Sequence, residues 1–429
     1  MRLDIGFGTR PQVLEIPEGN LMGVLLPGGL PSGPLGVDAL KNALENPIGS
    51  GRLADLVRPE ERVVIVTSDV TRPVPSAKIL PVLLDELRRN KIKMTDVTVV
   101  FALGSHRGHT EDERVRLAGE SVFECVRCID SDPGDCVNMG RTASGTPVDI
   151  TRVVAGADRR ICVGNIEYHY FAGYSGGAKA IMPGVSNRSA IQANHSRMVH
   201  PRARTGLLEG NPVREDLEEA IRHCPIDFIV NVILDDKKEI VHAVAGDYIK
   251  AHRAGCRFLD GLYRKDIGSR ADIVIASQGG APKDLNLYQT QKALDNAKHA
   301  VRDGGIIILV GACQEGFGES TFERWMGEAD SPRSLIERIQ RDFQLGGHKA
   351  ASIALVLEKA EISLVSEMPA RSVEKTFMRP FGNVQNALEA AFEKLGKDAS
   401  VLIMPSAGSV LPVADERESE GKREGAIIQ

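Results

Sequence analysis

Apolar positions along this chain follow two rhythms: short, nearly continuous runs, and stretches in which they recur every three or four residues. Val63–Thr67 (VVIVT) reads as a buried strand, and Leu80, Leu83, Leu84 and Leu87 follow it at helical spacing, an apolar stripe to lay on that strand's sheet. Val97–Ala102 (VTVVFA) and Arg160–Val163 read as further strands. A second series opens near residue 272. Its strands are Ala271–Ala276, Gly305–Val310, Ile362–Val365 and Val401–Met404, and its helices are Gln289–Ala300, Ser334–Phe343 and Val384–Leu395. Strands alternating with amphipathic helices predict an α/β protein whose mostly parallel sheets are covered on both faces.

A chain of 429 residues exceeds what one hydrophobic core usually organises, so two domains are expected. The predicted division is an N-terminal α/β domain over 1–268, a C-terminal doubly wound α/β domain over 269–412, and a charged tail over 413–429. The boundary is placed in the polar stretch Asp266–Arg270, and the Pro/Gly-rich segment Leu25–Gly36 reads as a loop. Ligands of such sheets bind beyond the carboxyl ends of strands and between domains, which puts the expected active site in the interdomain cleft.

Composition narrows the function classes. A formal charge of −5 argues against a nucleic-acid binder. No apolar run approaches the roughly 20 residues that cross a bilayer, and the N-terminal stretch lacks a signal peptide's apolar core, so a cytoplasmic protein without membrane partners is expected. Seven scattered cysteines fit reduced thiols. Cys125 and Cys128 form a CxxC with no second pair, too few ligands for structural zinc; Phe123, Cys125 and Ile129 are read as one face of a short strand.

Five segments carry candidate chemistry. Ser68–Ser76 (SDVTRPVPS) leaves the VVIVT strand; Arg72 offers a donor fork for a carboxylate or phosphate, Asp69 can orient it or accept from a ligand hydroxyl, and Ser76 can cap the next helix. A loop Asp–Arg ion pair is the plain alternative. Gly104–His109 (GSHRGH) leaves VTVVFA, and a histidine there suits acid–base work near neutral pH, or His106 and His109 form part of a metal pair. Glu167–Lys179 (EYHYFAGYSGGAK) crowds aromatics around His169, then passes through Ser175, Gly176 and Gly177 to Lys179. The glycines admit an anion close to the backbone, and the lysine can touch phosphate or act as a nucleophile. Ser186 can cap a helix carrying His195. Tyr288, Gln289 and Lys292 span one helical turn and can face one cleft. Neither GxxxxGK[ST] nor GxGxxG is present, which disfavours a P-loop or a nicotinamide enzyme.

Taken in order, SDVTRPVPS, GSHR, HYFAGYSGGAK, Asn194-His195 and YQTQK resemble the lactate racemase family, from Val63 to Lys292 through these motifs and more diffusely beyond. The resemblance implies an isomerase, a 2-hydroxyacid racemase or epimerase that works by reversible hydride transfer to a nickel-pincer nucleotide. By the same resemblance, Lys179 attaches the cofactor covalently, with Asp69, Ser175, Gly176 and Gly177 beside it, and His195 is the protein ligand to Ni(II). His106 and His169 become the two acid–base histidines, and Arg72 and Lys292 the cations that hold the substrate carboxylate, with Tyr288 and Gln289 nearby. Cofactor-biosynthesis enzymes are implied as partners. Val70 stands where lactate-specific members often carry a polar residue, which weakens the case for lactate itself. Trp325, Phe343 and the cluster Gly346–Lys349 are the candidates for the rest of the substrate pocket. Two other readings remain open: a metal-dependent hydrolase using His106, His169 and His195, and a non-catalytic protein that binds nickel or the cofactor.

Overall fold

The computed structural model describes residues 1–29, 33 and 35–414. It divides into two compact units, Gly29–Leu262 and a second made of Met1–Gly28 with Tyr263 onward.

The Gly29–Leu262 unit is built on a six-stranded sheet. Its strands, in spatial order, are Ile240–Gly246, Phe228–Leu234, Arg159–Asn165, Val63–Ser68, Val97–Ala102 and Arg127–Asp130. All neighbours are parallel except the first pair, which forms an antiparallel hairpin. Val63–Thr67 is buried throughout, so both faces of the strand are covered, as its unbroken apolar run requires. The helix Ser76–Arg89 lays Ile79, Leu80, Leu83, Leu84 and Leu87 into this core. Each buried leucine contributes roughly 1.5–3 kcal/mol. Ser76 does not cap that helix; Pro75 holds the cap position, and the Ser76 hydroxyl pairs instead with Thr67 Oγ1 at 2.7 Å. The CxxC segment also differs from expectation. Phe123 and Cys125 lie on the helix Glu120–Cys125, and only Cys128 and Ile129 are on a strand, Arg127–Asp130.

The other unit carries an all-parallel six-stranded sheet in the order Arg379–Phe381, Glu361–Val365, Val301–Val310, Ala271–Ser277, Val401–Met404, Leu21–Val24. The helix Val384–Leu395 matches the expected span. The expected boundary needs correction at both ends. The strand Leu21–Val24 sits at the edge of this second sheet, so the first 28 residues belong here and not with the unit that follows them in sequence. Asp266–Arg270 is not a linker, because Arg264–Gly268 is a strand pairing in parallel with Leu411–Ala414. That pairing carries the second unit past 412; the rest of the expected tail, 415–429, lies outside the described residues. Among the described residues no helix is long and apolar enough to cross a membrane.

Candidate active site

In the Gly29–Leu262 sheet, Val63–Ser68 and Arg159–Asn165 are central neighbours. From the first the chain moves outward through Val97–Ala102 to Arg127–Asp130; from the second it moves the other way. Strand order that reverses between two parallel neighbours opens a crevice at their carboxyl ends. The loops leaving these strands carry Asp69, Arg72, His106, His169 and Lys179.

Asp69 follows its strand directly and is 3% exposed. Its Oδ2 lies 2.6 Å from His106 Nδ1, and the Thr71 hydroxyl donates to both carboxylate oxygens at 2.9 and 3.0 Å. Burial raises the Asp69 pKa, but the His106 hydrogen bond and charge, with Thr71 and Arg72, outweigh it and hold the carboxyl below its ordinary value. An ionised Asp69 accepts the Nδ1–H of His106, which leaves the lone pair on Nε2. Asp69 thus makes an Asp–His pair in place of the alternative Asp69–Arg72 ion pair; Arg72 closes the turn through its backbone N–H to Asp69 O and is exposed.

His109 has a different task. Its side chain is fully buried; Nε2 accepts the Val70 N–H at 3.0 Å, and Nδ1 pairs with Asp130 at 2.7 Å. With both ring nitrogens engaged it braces the Asp69 turn, and the suggested His106–His109 metal pair is not formed.

Tyr168–His169 and Gly173–Tyr174 form a short antiparallel hairpin. Its outer hydroxyls, from Tyr168 and Tyr174, both donate to Asp260, at 2.9 and 2.8 Å. Its carbonyls are held from the helix Pro212–Ala220: Arg214 donates to Ala172 O at 3.1 Å and to Tyr174 O, and Asn211 donates to Phe171 O at 2.9 Å. Arg214 is wholly buried, and Glu218 lies 3.6 Å from it.

The hairpin presents His169 edge-on to Phe171, ring centroids 4.5 Å apart. Its Nδ1 accepts the Ala172 N–H at 3.2 Å, which places the proton of the neutral ring on Nε2. Burial, then the positive charges of Lys179 and Arg72, push its pKa well below the ordinary value. Phe171 is the hub of the site. The Lys179 ammonium position lies 5.8 Å from its ring centroid, and the His195 ring meets its edge at 4.9 Å.

Lys179 is delivered by Ser175–Gly176–Gly177. The Ser175 hydroxyl donates to Asn165 O at 2.7 Å and accepts the Glu167 N–H at 2.9 Å. Gly176 (φ +75°) could not carry a side chain: a Cβ there would stand 2.7 Å from Asn231 Oδ1. Gly177 (φ +59°) donates its N–H to Asn231 Oδ1 at 2.8 Å and lies against the buried His252, 2.9 Å from where its own Cβ would be. Burial above all, then Arg214 and Arg72, drive the Lys179 pKa well below the usual lysine value. Lowering its pKa makes the amine a better nucleophile.

His195 ends the helix Arg188–His195, 7% exposed. Asn187 caps that helix by accepting the Ala190 N–H; Ser186 instead donates to Ile181 O at 3.0 Å.

Tyr288, Gln289 and Lys292 lie in the other unit, just beyond the Ala271–Ser277 strand. The expected helix Gln289–Ala300 is three short pieces, Leu287–Thr290, Gln291–Ala293 and Leu294–Ala297. Lys292 Nζ donates to Gln289 Oε1 at 2.5 Å, and the Tyr288 ring meets Phe322 at 5.8 Å. Trp325 is wholly buried, with the Arg338 guanidinium 4.3 Å over its ring, so it is core and not a pocket wall. The Phe343 ring lies 5.7 Å from that of His348. Gly347–Leu357 is a helix on which Lys349 makes a buried 3.4 Å pair with Asp295.

Among the described residues no three His, Cys, Asp or Glu side chains come together as a metal-binding set, which removes the donor set that the hydrolase reading needs. Sequence reasoning named the block around Phe171 but not its central ring, and it missed Arg214 altogether.

Comparison with known proteins gives one consistent result. Residues 7–206 match the lactate racemase N-terminal domain and 267–412 the lactate racemase C-terminal domain. Lactate racemase of Thermoanaerobacterium thermosaccharolyticum is 36% identical over 421 residues, 95% of this chain and 98% of that one. Lactate racemase of Lactiplantibacillus plantarum is 34% identical over 388 residues, 87% of this chain and 90% of that one. The solved structure of the T. thermosaccharolyticum lactate racemase apoprotein superposes with a TM-score of 0.87 at 34% identity, covering 96% of this chain and 100% of that one. A Thermotoga maritima protein superposes at a TM-score of 0.59 with 15% identity, over 88% of this chain and 96% of that one, and shares the fold. The chain belongs to the lactate racemase family and is an isomerase, a racemase.

Proposed function

We propose that this racemase inverts the α-carbon of a 2-hydroxyacid, lactate or a larger relative, with a nickel-pincer nucleotide bound covalently through Lys179. The observation that carries the proposal is the grouping of Lys179, His169 and His195 around one phenyl ring, 5.8, 4.5 and 4.9 Å from it. The residues present fit such a group. An amine whose pKa burial lowers can form the covalent link, the Ser175–Gly176–Gly177 backbone leaves room beside it, and a near-buried imidazole can ligate Ni(II). When bound, the group supplies the hydride acceptor.

The protein supplies placement and proton transfer. The two enantiomers of a hydroxyacid turn their hydroxyls to opposite sides, so two acid–base groups are required. His106, backed by Asp69, takes a hydroxyl proton at Nε2. His169 holds its proton at Nε2 and directs it to an oxygen on the other side. Arg72 is the proposed donor fork for the substrate carboxylate. Lys292, with Tyr288 and Gln289, is proposed as a further substrate-binding group. Both ring nitrogens of the buried brace His109 are occupied, so it takes no part.

The test is coproduction with the cofactor-biosynthesis enzymes, followed by intact mass, nickel analysis and chiral chromatography of single-enantiomer hydroxyacids. The expected result is a mass increment, bound nickel and interconversion, all three lost in Lys179→Ala. A Lys179→Ala protein that still carries the adduct and racemises would overturn the assignment, as would full activity with nickel alone.

A further inference from the structure

We infer that Asn194, locked in place by Asp216, is a positioning residue that keeps the proton of His195 on Nδ1 and so reserves the Nε2 lone pair for a metal ion. The inference rests on the reading of His195 as the nickel ligand.

The lock starts at a buried carboxylate. Asp216, on the helix Pro212–Ala220, is 2% exposed. Its Oδ1 accepts the Thr142 hydroxyl at 2.6 Å; its Oδ2 accepts the Thr146 hydroxyl at 2.7 Å and the Asn194 amide Nδ2 at 2.7 Å. Arg197 Nε stands further off, at 4.0 Å. The Asn194 side chain is completely buried, and Nδ2 also donates to Val213 O at 3.1 Å. Both hydrogens of the amide are thus spent on oxygens that can only accept. Turning the amide over would set its oxygen against a carboxylate and a carbonyl, leaving three buried acceptors facing one another, and an unmet buried polar group costs about 1–3 kcal/mol.

With the amide fixed this way, it is Oδ1 that faces His195, 3.0 Å from Nδ1. A carbonyl oxygen only accepts, so Nδ1 must carry the hydrogen, and the neutral ring keeps its lone pair on Nε2. This is the arrangement by which an outer partner selects the metal-binding nitrogen of a histidine. The residues come from three places: the Thr142–Thr146 turn, the end of the Arg188–His195 helix, and the Pro212–Ala220 helix, which supplies both Asp216 and the Val213 carbonyl. None of them is needed merely to pack an imidazole edge-on to Phe171, because packing is indifferent to which nitrogen is protonated. Asn194 and His195 are sequence neighbours, which explains why the pair occurs as a unit.

The test reads the tautomer directly. Full-length protein without cofactor, carrying ¹⁵N-labelled histidine, is examined at pH 8 by long-range ¹H–¹⁵N correlation, with His195→Gln to assign the signal. Wild type is expected to show His195 overwhelmingly as the Nδ1–H form. Asp216→Asn is the matching variant: it removes the charged acceptor that fixes the Asn194 amide, so the lock loosens and the Nε2–H form gains population. In cofactor-loaded protein the same variant should keep the Lys179 adduct by mass and retain nickel about 10–100-fold more weakly. Asn194→Ala, which removes the oxygen outright, is the second variant should Asp216→Asn fail to fold, and the wild-type spectrum stands alone in either case. An Nε2–H ring in wild type overturns the inference. So does an unchanged tautomer with unchanged nickel retention in both variants, while His195→Gln loses nickel. If His195→Gln itself retains nickel in full, the ligand assignment fails and the inference falls with it.

Discussion

The two histidines proposed as acid–base groups stand in opposite settings. His106 sits on a loop at the end of a parallel strand, its Nδ1 against the buried carboxylate of Asp69 at 2.6 Å. His169 sits on a two-residue hairpin strand, its Nδ1 against a backbone N–H, with Lys179, Arg72 and Arg214 as its cationic neighbours. One ring is given an acceptor at Nδ1 and the other a donor, so the nitrogens they turn outward are a lone pair in one case and an N–H in the other. A racemase needs chemically similar groups on two sides of its substrate, yet with the proposed roles this one would hold a base on one side and a proton donor on the other at rest. Similar roles therefore do not demand similar environments; they demand complementary proton inventories.

The strongest way to break this comparison is to delete each ring in turn. His106→Ala and His169→Ala should both keep the Lys179 adduct by intact mass and lose about 10²–10⁴-fold in rate, the usual worth of a positioned acid–base group. For a pair of enantiomers the equilibrium constant is one, so kcat/KM must fall equally in the two directions. The asymmetry should appear instead in kcat and KM taken separately, measured from each pure enantiomer by chiral chromatography. Identical kcat losses from both enantiomers in both variants would mean that the two settings are equivalent in practice.

A smaller effect is expected from Asp69→Asn. It leaves both rings in place but replaces a charged acceptor at 2.6 Å by an amide. A hydrogen bond to a charged group is worth about 1.5–3 kcal/mol, or roughly 10–150-fold. The loss should be confined to the catalytic rate, with adduct and nickel content unchanged. Full activity in this variant would remove the carboxylate from the account of His106.

Much of this arrangement is legible in the sequence, for a physical reason. Buried parallel strands need unbroken apolar runs, so Val63–Thr67 and Val97–Ala102 announce themselves, and chemistry in such folds gathers where those runs end. That rule alone leads to Asp69, His106 and the block before Lys179. Topology is what the pattern hides. Leu21–Val24 pairs with Val401–Met404 across almost the whole chain, and no local signal can say which sheet an edge strand joins. Arg264–Gly268 looks like a linker because its residues alternate between exposed and half-buried in a two-stranded pairing. Arg214 and Asp216 sit in a run of charges that reads as a solvated helix face, yet both are buried and they hold, respectively, the hairpin of His169 and the amide beside His195. A charge is read as exposed by default because isolated burial is so costly; only the fold reveals the partners that offset it.

The smallest effect, and the one that tests the proton inventory without any substrate, lies in stability. Burial and neighbouring cations hold the His169 pKa well below its ordinary value, so the folded chain leaves this ring neutral where the unfolded chain would protonate it. Below about pH 6.5, where a free histidine takes up its proton, the unfolded state binds more protons, and stability must fall as the pH drops toward the lowered folded value. The contribution is complete above that range and cannot exceed one proton, about 1.4 kcal/mol per pH unit. Asp69, whose pKa is also lowered, acts in the same direction but only further into acid, below about pH 3.9. His252, buried with a lowered pKa, acts in the same window as His169 and is common to wild type and variant, so it cancels in the comparison. Urea unfolding midpoints at pH 7.0 and 5.5 should therefore differ less in His169→Gln than in wild type. An undiminished difference would mean that His169 is charged in the folded chain, and its Nδ1 could then not be accepting the Ala172 N–H on which the contrast with His106 depends.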